Sequence, residues 1–201
     1  MKIYHHYSIY GFSNTYVVGN EESKSAVIID PAEVTTSMID QIEHNKYSIS
    51  AILITHNHIH HSRGLKTLMR IYDPNIYASN MKLYDIPCRK VRDQDQFEEA
   101  GFDIQALAIP GHSQDSIVYI IESCLFTGDA LHAGVIGRTT SSFNAQSLSD
   151  RIRQRLLKLP EDILVFPGHG PPSTIGTEKK FNIGLKPGYA SSLRKSYDFF
   201  V

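Results

Sequence analysis

Short runs of aliphatic, β-branched and aromatic residues punctuate this chain, each about one strand long and most of them ending in Gly, Asp, Pro or His. They are Tyr16–Val18, Ala26–Ile29, Ala51–Ile54, Ile104–Ile109, Ile117–Ile121, Cys124–Phe126 and Ile163–Phe166. Between them the apolar spacing turns helical. Val34, Met38, Ile39 and Ile42 form one stripe, and Leu65, Leu68, Met69 and Tyr72 a second. A third stripe, Leu148, Ile152, Leu156 and Leu159, follows Ser147-x-x-Asp150, which reads as a capping box, and stops at Pro160. Arg151, Arg153, Arg155 and Lys158 lie largely off that stripe and read as a solvated helix face. Strands early, helices between, and a second strand-rich block after residue 100 predict a layered α/β sandwich of two sheets flanked by helices. No linker composition, low-complexity tract or repeat divides the chain, so residues 1–201 are expected to form one domain.

Composition narrows the class. Of 201 residues, 41% are apolar and 20% charged, a globular balance rather than a disordered one. A formal net charge of -1 supplies no general field for a phosphate backbone, so a small-molecule substrate is expected and nucleic acid is not. No stretch approaches the roughly 20 apolar residues of a membrane span, and Met1–Tyr7 lacks the apolar run of an export signal. Cys88 and Cys124 permit one bridge at best, and a reduced, cytoplasmic protein is the expectation. The oligomeric state is left open.

Four of the ten histidines fall between positions 56 and 61. Ala51-Ile52-Leu53-Ile54-Thr55 runs directly into His56-Asn57-His58-Ile59-His60-His61, an apolar strand discharging into imidazoles. Neutral imidazole suits zinc, iron and related metals, and a strand end is a rigid place from which to project it. Three other strand-like segments end in a glycine beside a metal-competent side chain. They are Ile109-Pro110-Gly111-His112-Ser113, Leu125-Phe126-Thr127-Gly128-Asp129 and Val165-Phe166-Pro167-Gly168-His169-Gly170. Pro-Gly and Gly-Asp are ordinary turn chemistry taken singly. Four strand ends that all deliver His or Asp are what a metal site at one edge of a sandwich requires.

In order and context these motifs resemble the metallo-β-lactamase superfamily, especially its small glyoxalase II-like (hydroxyacylglutathione hydrolase-like) thioester hydrolases. That family carries a Thr-His-x-His-x-Asp-His loop, a Pro-Gly-His-(Thr/Ser) turn, a Gly-Asp after a strand and a late Pro-Gly-His-Gly turn. Asp30-Pro31, Ile136-Gly137-Arg138-Thr139 and Thr174-Ile175-Gly176-x-Glu178 extend the likeness. The resemblance implies a four-layer αββα sandwich with the metal site at one edge. It implies one or two zinc ions, with iron or manganese as alternatives, and a metal-activated water attacking a small thioester or acyl ester. Carried over by position, His56, His58 and His112 hold the first metal, His61 and His169 the second, and Asp129 bridges them. Neither cysteine lies in a metal motif, which argues against a thiol nucleophile.

One position departs from the family pattern. Where it has the loop aspartate, this chain has His60, which removes one negative charge from the ligand set. Three consequences stay open: His60 ligates the second metal and shares the catalytic work with Asp129, the second site is weak, or metal preference and function have shifted. Family members that are persulfide dioxygenases use one iron held by two histidines and a carboxylate, a set that His56 or a neighbour, His112 and Asp129 could supply. A metal-binding member with impaired hydrolysis is the third reading. β-Lactam hydrolysis and RNA processing are disfavoured by the missing export signal and the balanced charge. Among the remaining motif residues, His132 is expected to pack beside the metal edge, and Asp30 to accept a hydrogen bond from a ligand histidine or cap the turn at Pro31. Arg138 is expected to organise loops through charged hydrogen bonds, and Asp115, in a usual glycine position, to alter the loop after His112. Cations late in the chain, Lys179, Lys180, Lys186, Arg194 and Lys195, are expected to be solvated surface charge.

Overall fold

The computed structural model describes residues 1–189, so Arg194 and Lys195 lie outside the described residues. The first sheet begins with β1 (Lys2–Ser8), β2 (Ser13–Asn20) and β3 (Ser25–Ile29), which pair antiparallel in that order. Helix α1 (Thr36–Asn45) crosses over to β4 (Ser48–Leu53), which lies parallel to β3. The short α2 (Ile59–Ser62) and α3 (Leu65–Tyr72) lead to β5 (Asn75–Ala78), parallel to β4. A two-residue hairpin, β6 (Lys82–Leu83) and β7 (Ile86–Pro87), precedes the edge strand β8 (Arg89–Lys90).

The second sheet starts with the meander β9 (Gln96–Glu99), β10 (Phe102–Ala108), β11 (Ile117–Ile121) and β12 (Cys124–Gly128). After the hairpin β13 (Leu131–His132) and β14 (Val135–Ile136), helix α4 (Ser142–Arg151) runs on into a π-helical turn at Ile152–Leu156. β15 (Leu164–Pro167) then pairs parallel to β12, and β16 (Ser173–Thr174) and α5 (Ile175–Phe181) follow.

Side-chain alternation along the strands explains the layering. Tyr16 and Val18 of β2, Ala51 and Leu53 of β4, and Ile104, Tyr119 and Phe126 of the second sheet share one core between the sheets. The intervening Val17, Ile28 and Ile52 face away from it and pack with Met38 and Ile42 of α1 and Leu65 and Leu68 of α3. On the far side Val118, Leu125 and Val165 pack with Leu148, Ile152, Leu156 and Ile175. Helix, sheet, sheet, helix is the expected four-layer sandwich. Among the described residues no helix is long and apolar enough to cross a membrane.

Two local expectations need correction. Helix α4 starts six residues earlier than the Ser147-x-x-Asp150 pattern implies, because Ala145 is already buried. Its cap is Ser141, whose Oγ accepts from the Asn144 amide at 3.1 Å, and Asp150 takes a bond from Gln146 Nε2 inside the helix. The basic run is also not wholly solvated. Arg151 and Arg153 are exposed, but the Arg155 guanidinium donates to Asp93 at 2.7 Å and to the Ala108 carbonyl at 2.9 Å.

Candidate metal centre

The edge where the strands of both sheets end gathers the chemistry. β3 ends at Asp30, a buried residue in the left-handed region (φ 49°). Its carboxylate accepts from the Thr55 amide (2.8 Å), the Thr55 hydroxyl (2.6 Å) and His61 Nδ1 (3.1 Å), so it ties β3 to the segment after β4 and to α2. The hydrogen bond expected at Asp30 is therefore present, from His61.

The tautomers follow from these bonds. Thr55 has one hydroxyl proton and gives it to Asp30, so His56 Nδ1, 3.0 Å from that oxygen, must be the donor there. His112 Nδ1 donates to the Arg138 carbonyl at 2.7 Å, and His169 Nδ1 to the Phe12 carbonyl at 2.8 Å. Four imidazoles thus spend Nδ1–H on outward acceptors and turn Nε2 toward one another, the arrangement that second-layer acceptors impose on metal-binding histidines. His58 is the exception and presents Nδ1, 3.0 Å from His56 Nε2 and 3.1 Å from His112 Nε2.

Asp129 stands among these nitrogens. Its carboxylate oxygens lie 3.3 Å from His61 Nε2, 3.4 Å from His169 Nε2, 3.5 Å from His112 Nε2 and 3.9 Å from His56 Nε2. Two sets have ligand atoms all within 4.8 Å of one another: His56, His58, His112 and Asp129, and His56, His60, His61 and Asp129. Four ligands about 2.1 Å from a tetrahedral ion stand about 3.4 Å apart, so these separations suit a cation.

Electrostatics divides the cluster into neutral imidazoles and a charged His61–Asp129 pair, and unsatisfied atoms point to a cation. Burial drives His56 down to about 2, assisted by the His61 charge, and burial also lowers His60 and His112. Burial opposes protonation of His61 too, but Asp129 and Asp30 raise it to about 10. Asp129 resists the upward push of burial and stays well below the carboxylate range, held by His132, His169 and His61. Yet His61 Nε2, His132 Nε2 and Asp129 Oδ1 are all buried with no hydrogen-bond partner. Such orphans call for a missing counterpart, and a cation bound by lone pairs is one. The backbone makes room for it. A Cβ on Gly168 would sit 2.5 Å from Asp129 Oδ1 and 2.6 Å from His61 Cε1.

All seven predicted residues, His56, His58, His60, His61, His112, Asp129 and His169, meet here. His132 joins them, with Nε2 at 3.5 Å from Asp129, as its expected place beside the metal edge requires. Arg138 contributes its backbone carbonyl to His112; the residue itself is exposed, so the expected charged organiser is corrected to a main-chain acceptor. Asp115 reaches outside its own loop: Oδ2 accepts from the Asn57 amide and from Asn80 Nδ2, both at 3.0 Å, pinning the segment between His56 and His58. Sequence reasoning gave Asn14 no role. Its side chain donates to the carbonyls of Pro167 (2.9 Å) and Gly170 (2.8 Å) and holds the turn carrying His169. Its one signal was an amide beside the apolar run of β2.

Comparison with known proteins agrees with this architecture. The profile of the metallo-β-lactamase superfamily matches residues 9–169. The chain belongs to that superfamily and is a metal-dependent hydrolase of its kind. It is 30% identical over 194 residues to the probable polyketide biosynthesis zinc-dependent hydrolase BaeB of Bacillus velezensis, covering 92% of this chain and 80% of that one. To the hydroxyacylglutathione hydrolase GloC of Haemophilus influenzae it is 31% identical over 186 residues, 81% of this chain and 88% of the relative. The crystal structure of ETHE1 from Myxococcus xanthus superposes with a TM-score of 0.83 at 29% identity, over 95% of this chain and 85% of that one.

Proposed function

We propose that this protein hydrolyses a small thioester or acyl ester, with His56, His58 and His112 holding one divalent ion and His60, His61 and His169 a second. Asp129 lies between the two sets. The observation that carries the reading is the inward convergence of imidazole nitrogens whose other ring nitrogens are tied down, on a buried carboxylate with an unpartnered oxygen. The 3.5 Å separation of His112 from Asp129 and the 3.3 Å separation of His61 support a carboxylate shared by both sets. When bound, divalent ions in such a site polarise a carbonyl and lower the pKa of water.

The chain's own part is to fix orientation. Asp30, Thr55 and the carbonyls of Arg138 and Phe12 lock the imidazoles before substrate arrives. Water adds to the carbonyl carbon, the carbon–sulfur bond breaks, and the products are a carboxylic acid and a thiol that keeps a proton from water. A cytoplasmic setting belongs to the reading, since Cys88 and Cys124 are both free thiols.

The test is elemental analysis of the protein as purified, with turnover of a thioester, ester and lactone panel before and after chelation. Bound metal and chelator-sensitive thioester cleavage are expected; no cleavage across the panel, with or without bound metal, overturns the reading. The set of His56, His58, His112 and Asp129 is complete by itself and would also serve a second reading, a single iron centre. One iron per chain and oxygen uptake with a persulfide, without thioester cleavage, would select it.

A further inference from the structure

The segments that carry or hold the clustered histidines also carry apolar side chains that the protein leaves in water. The β1–β2 turn reads Ser8-Ile9-Tyr10-Gly11-Phe12-Ser13, with no charge, where a hairpin tip is ordinarily polar. Ile9 is 79% exposed and Phe12 66%, and Phe12 sits in the left-handed region (φ 55°), which bulky residues rarely adopt. The turn is fastened to the centre. The Phe12 carbonyl takes the His169 proton, the Ser13 hydroxyl donates to the His60 carbonyl at 2.6 Å, and Gly11 lies against the His60 side chain.

Two more exposed apolar residues flank the same ligands. Ile59 stands between His58 and His60 in α2 and is 47% exposed. The exposed Tyr84 reaches Ser62, next to His61, with its hydroxyl 2.9 Å from Ser62 Oγ. No Asp, Glu, Lys or Arg occurs in residues 56–62 or in the turn. The nearby cations Arg63 and Lys66 are drawn to the rings of Tyr10 (4.3 Å) and Tyr84 (6.0 Å). Exposed apolar residues clustered beside a site mark a binding surface, and these are fastened to the segments that carry the clustered histidines.

We propose that Ile9, Phe12, Ile59 and Tyr84 form an apolar collar that takes the acyl arm of the substrate, so the preferred substrate is a thioester of an extended hydrocarbon or aryl acid. This rests on the thioester reading and adds the class of acyl group. A charged or very short acyl group would leave the collar wet; each methylene laid against it is drawn from water.

The test uses the zinc-loaded full chain and saturated acyl-coenzyme A thioesters from acetyl to decanoyl. S-alkyl coenzyme A thioethers of the same lengths, which cannot be hydrolysed, are titrated calorimetrically against metal-free protein. Specificity (kcat/KM) is expected to rise at least ~10-fold from acetyl to octanoyl, with thioether Kd falling in parallel, since each buried methylene favours binding. Phe12→Ser and Ile59→Ser, both at exposed positions, should each flatten that slope, and either variant suffices if the other fails to fold. A flat chain-length profile with measurable turnover overturns the collar and leaves the hydrolase intact. Graded thioether binding without hydrolysis of any thioester supports the collar and removes the hydrolase reading. Reversible dimerisation abolished by Phe12→Ser, with no length dependence, makes the patch a self-interface and overturns the proposal.

Discussion

Asp30 shows how much one side chain carries at this edge. It is buried, donates nothing when ionised, and accepts three hydrogen bonds from Thr55 and His61. Asp30→Ala would orphan a buried amide and a hydroxyl and free the His61 ring. Metal affinity should fall about 10–100-fold, read by competition with a chromophoric chelator, because outer partners set ligand orientation. His60→Ala probes the departure from the family pattern. If His60 serves the second set, metal content should drop from two ions toward one per chain by elemental analysis, with the His56–His58–His112 set still filled. Of the residues that meet here, the histidines, Asp129 and Asp30 are legible by type and context, whereas Asn14, whose side-chain amide holds the His169 turn, is not. The carbonyls of Phe12 and Arg138 were not, since a main-chain acceptor leaves no mark on residue identity.

The turn that ends β15 brings His169 close to Asp129, and glycine is what permits it. Gly168→Ala would place a methyl 2.5 Å from Asp129 Oδ1, so metal content and denaturant stability should both fall. Gly170→Ala is the matched control. A Cβ there meets nothing within 4 Å, but φ is +79°, so it should cost about 1–2 kcal/mol of stability and keep the metal. Comparing the two by metal content separates a cradle from a strained turn. At this scale the buried strands were legible because both faces are apolar, as in β3 and β4. β1 was not, because an edge strand with His5, His6 and exposed positions carries little hydrophobic signal. The start of α4 was misplaced for a related reason. Ser141 and Ser147 are equally good caps by type, and only the burial of Ala145 decides between them.

Across the whole molecule the site is a clasp between two sheets rather than a keystone of either. Asn14 and Phe12, flanking the start of β2, hold the turn that follows β15, while His56 and His61, beyond β4, meet Asp129, beyond β12. The three apolar cores lie elsewhere: between the sheets, under α1 and α3, and under α4 and α5. Removing the metal should therefore loosen the joint without unfolding the layers. An ion present at 100 times its dissociation constant contributes about 2.7 kcal/mol to the folded state. In a chain of this size each kcal/mol moves the melting temperature by about 2–4 °C, so chelation should lower Tm by roughly 5–10 °C. The far-ultraviolet circular dichroism spectrum should stay native, because the strands keep their cores. Hydrogen exchange should rise first in the amides of the clasp, Asn14 and Thr55 among them, whose partners Gly168 and Asp30 sit beside His169 and His61. Loss of the dichroism signal on chelation would mean instead that the ligands, and not the cores, hold the two sheets together.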